Sequence, residues 1–211
     1  HDLVPALHGW RNRRRARSTL DAWRYRLDWT PITGRSTRRL TGQWLLVTAA
    51  GPDHDPTGTV PDTDQDLTGT VVDALTTAGA DVTRVTVTDD LDRAGVDDLL
   101  AGHPDAAGVL SLLALDERPH PGHPTLSTGL AATLLLAQAV ADRDAPIPLW
   151  LCTRSAVATG GDDPPAHPGQ STTWGIGLGM SLEHPDRWGG LIDLPPTVGP
   201  ADGTQVAAAL A

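Results

Sequence analysis

The run Trp44–Val60, WLLVTAAGPDHDPTGTV, decides the fold. Its first half is a continuous apolar stretch that closes on Gly51, the pattern of a buried strand entering a glycine turn, as at the start of a dinucleotide-binding unit. Its second half breaks that pattern. A pyrophosphate loop needs glycines for close backbone approach and free amides at a helix N-terminus. Here Gly51 is followed by Pro52, Asp53, Asp55 and Pro56, which remove two amide hydrogens and add two charges of the wrong sign. The strand is expected; the phosphate loop is not.

Outward from this run, strand and helix patterns alternate. Further strands are predicted at Val82–Val87, Ala107–Leu113, Leu149–Thr153 and Gly190–Leu194. A helix is predicted after Asp62, where Asp62 and Gln65 have capping-box spacing, Leu67, Val71 and Leu75 share a face, and Gly79 ends it. A second helix is predicted from Pro124 to Asp142 with Leu126, Leu130 and Leu134 as its buried stripe, and shorter ones at Leu91–Ala101, Thr172–Glu183 and Ala201–Leu210. Nearly uniform apolar strands separated by helices indicate a parallel sheet covered on both faces, an α/β doubly wound fold of Rossmann type. Before this pattern, WRYRLDW alternates, with Trp23, Tyr25, Leu27 and Trp29 on one face of a half-buried strand.

At 211 residues and 39% apolar content the chain can bury one domain core. Its net charge is −10, and residues 1–20 hold five Arg against one Asp, so the remainder carries about −14. An acidic body does not suit nucleic acid, and the RNRRRAR stretch reads as a solvated linker face. The lone Cys152 lies in an apolar run and supports neither a disulfide nor a cysteine metal site. No apolar core follows the N-terminal charges, and LAATLLLAQAVA is too short to span a bilayer, so no membrane contact and a cytoplasmic setting are expected.

The basic residues are all Arg; no Lys occurs. That removes a P-loop lysine, a Schiff base and the Tyr-x-x-x-Lys pair of short-chain dehydrogenases. Ser155, at the end of WLCTRS, stands where such an enzyme keeps its catalytic Ser, but the i, i+4 positions downstream are Gln170 and Trp174, neither of which transfers a proton. Tyr25 is the only Tyr. In GIGLGM, Gly175, Gly177 and Gly179 imitate a cofactor fingerprint without the preceding strand, so a closely packed helix is expected. Asp89 and Asp90 follow the second strand where an acid would grip a ribose, and without a glycine loop they read as a solvated turn. His103, His120, His123, His167 and His184 mostly neighbour Pro and show no ligand spacing. No catalytic, cofactor-binding or metal residue is therefore assigned. An oxidoreductase or methyltransferase with a divergent loop, and a free-standing docking module of a multienzyme, are the rival readings.

The segments DAWRYRLDW, LTGQWLLVTAAG, GVLSLLALDE, STGLAATLLLAQAVAD, PLWLCTRSAVATG and TWGIGLGMSLEHPDRWGGLIDLP together resemble the structural subdomain of the ketoreductase of modular type I polyketide synthases, from about Asp21 to Pro195. The resemblance implies a linker at 1–22 and, at 23–211, a truncated, short-chain-dehydrogenase-like Rossmann unit without the cofactor loop. It implies a noncatalytic role in antibiotic biosynthesis, scaffolding a catalytic half that binds NADPH and reduces a β-keto group on an acyl carrier protein. Neighbouring domains, among them an enoylreductase or a dehydratase, are implied as further partners. The catalytic half is expected elsewhere, since the sequence closes on GTQVAAALA, and Trp23, Tyr25, Leu27 and Trp29 are the expected interface with it.

Overall fold

The computed structural model describes residues 9–11, 14, 15, 17, 18, 29, 30, 38–50, 62–160 and 163–211, with backbone only for 62–66. Two units are distinguished, residues 1–33 and 34–211. In the first, the described residues between 9 and 18 are helical, and the Arg14 guanidinium lies 5.1 Å from the centroid of the Trp10 ring.

The second unit holds a five-stranded, wholly parallel sheet. Its strands are β1 (Gln43–Ala49), β2 (Asp81–Val87), β3 (Gly108–Ser111), β6 (Leu149–Arg154) and β7 (Trp188–Leu194), in the order β2-β1-β3-β6-β7. This is the Rossmann order 3-2-1-4-5-6 without its third strand, in keeping with the truncated unit the resemblance implied. Among the described residues of this unit the α-helices are α1 (Asp62–Ala78), α2 (Arg93–Ala101), α3 (Thr128–Asp142), α4 (Thr172–Glu183) and α5 (Pro200–Leu210). The period-two alternation of the strands sorts the core into two layers. Leu45, Val47, Val109, Leu149 and Leu151 pack with α2, α3 and α4 on one face. Leu46, Leu110, Cys152 and Leu194 pack with α1 and α5 on the other.

Helix α1 buries Leu67, Val71 and Leu75, the predicted stripe, and ends where Gly79 turns to φ +107. The side chains of its first turn, including the Asp62 and Gln65 pair, lie outside the described residues. The heavy use of Trp has a packing reason. Trp44 lies over Gly108 and Trp150 over Gly189 and Gly190, where any added side-chain carbon would fall within 3 Å of an indole ring.

The predicted second helix needs correction. Pro124 is not in a helix: it lies in β5 (His123–Ser127), which pairs antiparallel with β4 (Pro119–His120) as a separate hairpin. Helix α3 begins after Ser127, whose Oγ accepts from the Leu130 amide at 3.1 Å. Leu126 and Leu134 are exposed (42% and 46%) and Leu130 is only half-buried. The buried face is Thr133, Leu136, Ala137 and Val140. Small residues bring this helix close to the sheet, and Arg187 closes its C-terminus by donating to the carbonyls of Val140 and Arg143. The strand predicted at Ala107–Leu113 is also shorter, because Leu113–Leu115 turns into a 3-10 helix.

Candidate functional site

In an open parallel sheet, ligands bind outside the carboxyl ends of the strands, where the strand order reverses. Here that point lies between β1 and β3. The loop from Gly51 to Pro56, whose chemistry argued against a phosphate, falls outside the described residues. The edge beside it is described, and it is filled by Arg118.

The Arg118 guanidinium forks onto Asp89 with Nη1 3.0 Å from Oδ2 and Nη2 2.8 Å from Oδ1. It forks a second time onto Asp116, with Nε 2.9 Å from Oδ1 and Nη2 2.6 Å from Oδ2. Nη2 also donates to the Ala50 carbonyl at 3.0 Å, just past β1. The two carboxylates raise the guanidinium pKa further above its ordinary value, the Asp116 hydrogen bonds being the largest cause. Asp89 stands in the exposed turn expected from the sequence, with its carboxylate paired to Arg118. The acid that could grip a ribose is already paired.

The second candidate lies at the end of β6. Ser155 takes φ +46, donating its amide to the Leu194 carbonyl (2.8 Å) while its own carbonyl accepts from the His167 amide (3.0 Å). The Asp193 carboxylate on β7 holds the turn, accepting from the amides of Ala156 (3.0 Å) and Val157 (3.2 Å) and from Thr153 Oγ1 (2.7 Å). Gln170 and Trp174, standing where a proton relay would be needed, act as staples instead. Gln170 Oε1 accepts from the Arg154 amide at 2.8 Å, and Trp174 Nε1 donates to Thr153 Oγ1 at 3.1 Å. Cys152, fully buried next to this site, has its pKa pushed up to about 12 by burial and then by Asp193, which keeps it a neutral thiol.

Other sequence candidates separate in space. Gly177 sits under Leu191 and Trp188, the close packing expected of it, but a side-chain carbon at Gly175 or Gly179 would meet nothing within 4 Å. His120 and His123 stack on the hairpin with ring centroids 5.8 Å apart, and His167 Nδ1 lies 2.5 Å from Glu117 Oε2. Among the described residues no group of three or more His, Cys, Asp or Glu is placed to hold a metal ion. None of the helices is long and apolar enough to cross a membrane, again among the described residues. Of the expected interface, Trp23, Tyr25 and Leu27 lie outside the described residues, and Trp29 is 46% exposed.

One surface was missed in the sequence. Along α4, Gly175, Leu178, Gly179 and Leu182 follow an i, i+3, i+4, i+7 spacing, with Leu178 53% and Leu182 82% exposed. The neighbouring α3, which packs against α4, exposes Leu134. The signal was present: the glycine spacing that imitates a fingerprint also writes a smooth apolar stripe on one helix face.

No protein-family model matches the chain. Curated relatives do. The chain is 44% identical over 202 residues to the polyketide synthase GfsA of Streptomyces halstedii, covering 91% of itself and 2% of that protein. It is 43% identical over 187 residues to the pikromycin polyketide synthase component PikAII of Streptomyces venezuelae, covering 84% of itself and 5% of that protein. Among solved structures, a C2-type ketoreductase from a modular polyketide synthase superposes with TM-score 0.73 at 38% identity over 90% of this chain and 39% of that one. The first ketoreductase of the tylosin synthase superposes with TM-score 0.66 at 32% identity, again over 90% of this chain and 36% of the other. The chain is thus similar to a part of the ketoreductases of modular polyketide synthases, spanning about two fifths of the length of the two solved ones.

Proposed function

We propose that this chain is the noncatalytic structural subdomain of such a ketoreductase, with residues 1–22 as linker and 23–211 as the scaffold that stabilises a catalytic half. The observation that carries this reading is the outward face of α4. Two glycines on a helix surface cost about 1 kcal/mol each relative to alanine, and among the described residues no neighbour lies within 4 Å of a side-chain carbon added at either. They allow another backbone to approach closely, and Leu178 and Leu182 beside them offer apolar area that nothing described here covers. The ketoreductases of known structure carry about three fifths of their chain beyond the part matched here, and that remainder is the occupant proposed for this face. The aromatic segment Trp23–Trp29, most of it outside the described residues, is a second proposed contact with the same partner.

NADPH and the reduction of a carrier-bound β-keto group belong, in this reading, to the catalytic half. The residues of this chain do not fit the cofactor. Its ribose acid is paired with Arg118, and Gln170 and Trp174 stand where Tyr and Lys would transfer and steer a proton. Neighbouring synthase domains, including the acyl carrier protein, are proposed partners by the same context. Titration calorimetry of NADPH into this chain tests the negative half of the proposal. No saturable heat is expected; a stoichiometric, micromolar isotherm overturns it.

A further inference from the structure

We infer that Arg118 is an internal ligand: its guanidinium takes the ground that a dinucleotide's ribose would occupy at this sheet edge, and it braces there the strand ends that a cofactor would otherwise organise. The bracing follows from where its partners sit in the chain. Ala50 leaves β1, Asp89 follows β2, and Asp116 follows β3, so one side chain ties three strand exits together. Its backbone extends the tie. The Arg118 amide donates to Asp116 Oδ1 (3.0 Å), and its carbonyl accepts from the Thr128 amide (2.7 Å), the first residue of α3. The Asp116 carbonyl accepts from Gly129 (3.0 Å). Ala50 in turn donates its amide to the Val87 carbonyl (2.8 Å), joining β1 to β2 beyond the ladder.

The geometry selects a guanidinium. A planar fork can engage two carboxylates side by side, whereas an ammonium is a point charge with no fixed directions. Without Arg118, the Asp116 carboxylate, 9% exposed, would lose its charge partner at the crevice between β1 and β3, while Asp89, 40% exposed, would be left to solvent. The inference is independent of which partner the chain scaffolds, because it is tested on this chain alone.

The test is thermal melting with amide hydrogen exchange on the wild-type chain, R118A, R118K and D89N. R118A is expected to lower the Tm by about 5 °C or more and to speed exchange at Ala50 and Gly129, with R118K recovering little of the loss. Methylguanidinium added to R118A is expected to raise its Tm more than sodium chloride at equal ionic strength does, and to leave the wild type unchanged. Wild-type melting in R118A overturns the inference, and so does equal recovery by sodium chloride, which would mark a general charge effect. If R118A does not fold, R118K and D89N decide: graded losses support the brace, and wild-type melting in both overturns it.

Discussion

Gly129→Ala is expected to abolish the native melting transition of this chain or to lower it by about 10 °C or more. A side-chain carbon at this position would lie 2.0 Å from the Leu113 carbonyl oxygen and 2.6 Å from that of Asp116. Both are backbone atoms, so no rotamer change relieves the overlap. The turn they belong to buries Leu113 and Ala114, and Gly129 both donates to Asp116 and accepts from Thr133 Oγ1 at 2.7 Å. Relief therefore requires α3 to move away from the Leu113–Asp116 turn, disturbing the layer in which Leu136, Ala137 and Val140 pack. Overpacking against fixed backbone belongs to the small class of changes that cost about 4 kcal/mol or more. Gly175→Ala, exposed on α4 with open space around it, is the matched control and is expected to melt at or slightly above the wild-type temperature. Circular dichroism checks both, and a wild-type transition for Gly129→Ala would show that the approach of α3 is not as described.

Leu178→Asp with Leu182→Asp, made in a ketoreductase that contains this chain, is expected to reduce ketoreduction at least about tenfold. On this chain alone the same pair is expected to be nearly silent, because both side chains already face solvent and exposed substitutions usually change stability by less than about 0.5 kcal/mol. In the proposed docked state each carboxylate would be buried against apolar surface without a partner, which costs several kcal/mol and leaves the catalytic half unsupported. Every 1.4 kcal/mol of lost docking is a factor of ten in the docked population. The comparison of an unchanged subdomain melt with a lost turnover separates docking from folding. Wild-type turnover in the double variant would remove α4 as the docking face and leave the Trp23–Trp29 segment to carry that role.

The sheet was legible because strands buried on both faces keep unbroken apolar runs. Leu45, Leu46 and Val47 are completely buried within β1, Gln43–Ala49. Helix α4 came out at its full bounds, Thr172–Glu183. The start of α3 did not, because two helix-start signals compete within a few residues. Pro124 can open a helix, but it sits equally well in the short β5, while the Ser127 hydroxyl supplies the cap that the backbone uses. The segment Thr128–Asp142 is so apolar all round that a second stripe, Leu126–Leu130–Leu134, matched helical spacing as well as the true face. The hairpin gave no alternation to read, pairing only two residues of β4 with a shifted register. Residue types were easier to read than the contacts they make. Residue types alone exclude a Tyr and Lys relay, yet nothing in the sequence shows Trp174 bonded to Thr153, or Arg118 bridging residues 68 and 29 positions away. Contacts of that span are created by strand order.

The central claim is that this chain supports chemistry it does not perform. The most direct measurement is the ketoreduction rate of the remaining three fifths of the ketoreductase, expressed separately and titrated with this chain. The account predicts little activity from the remainder alone and a saturable rise as the chain is added, with the chain by itself turning over nothing. A remainder that is fully active and equally stable without this chain would contradict it.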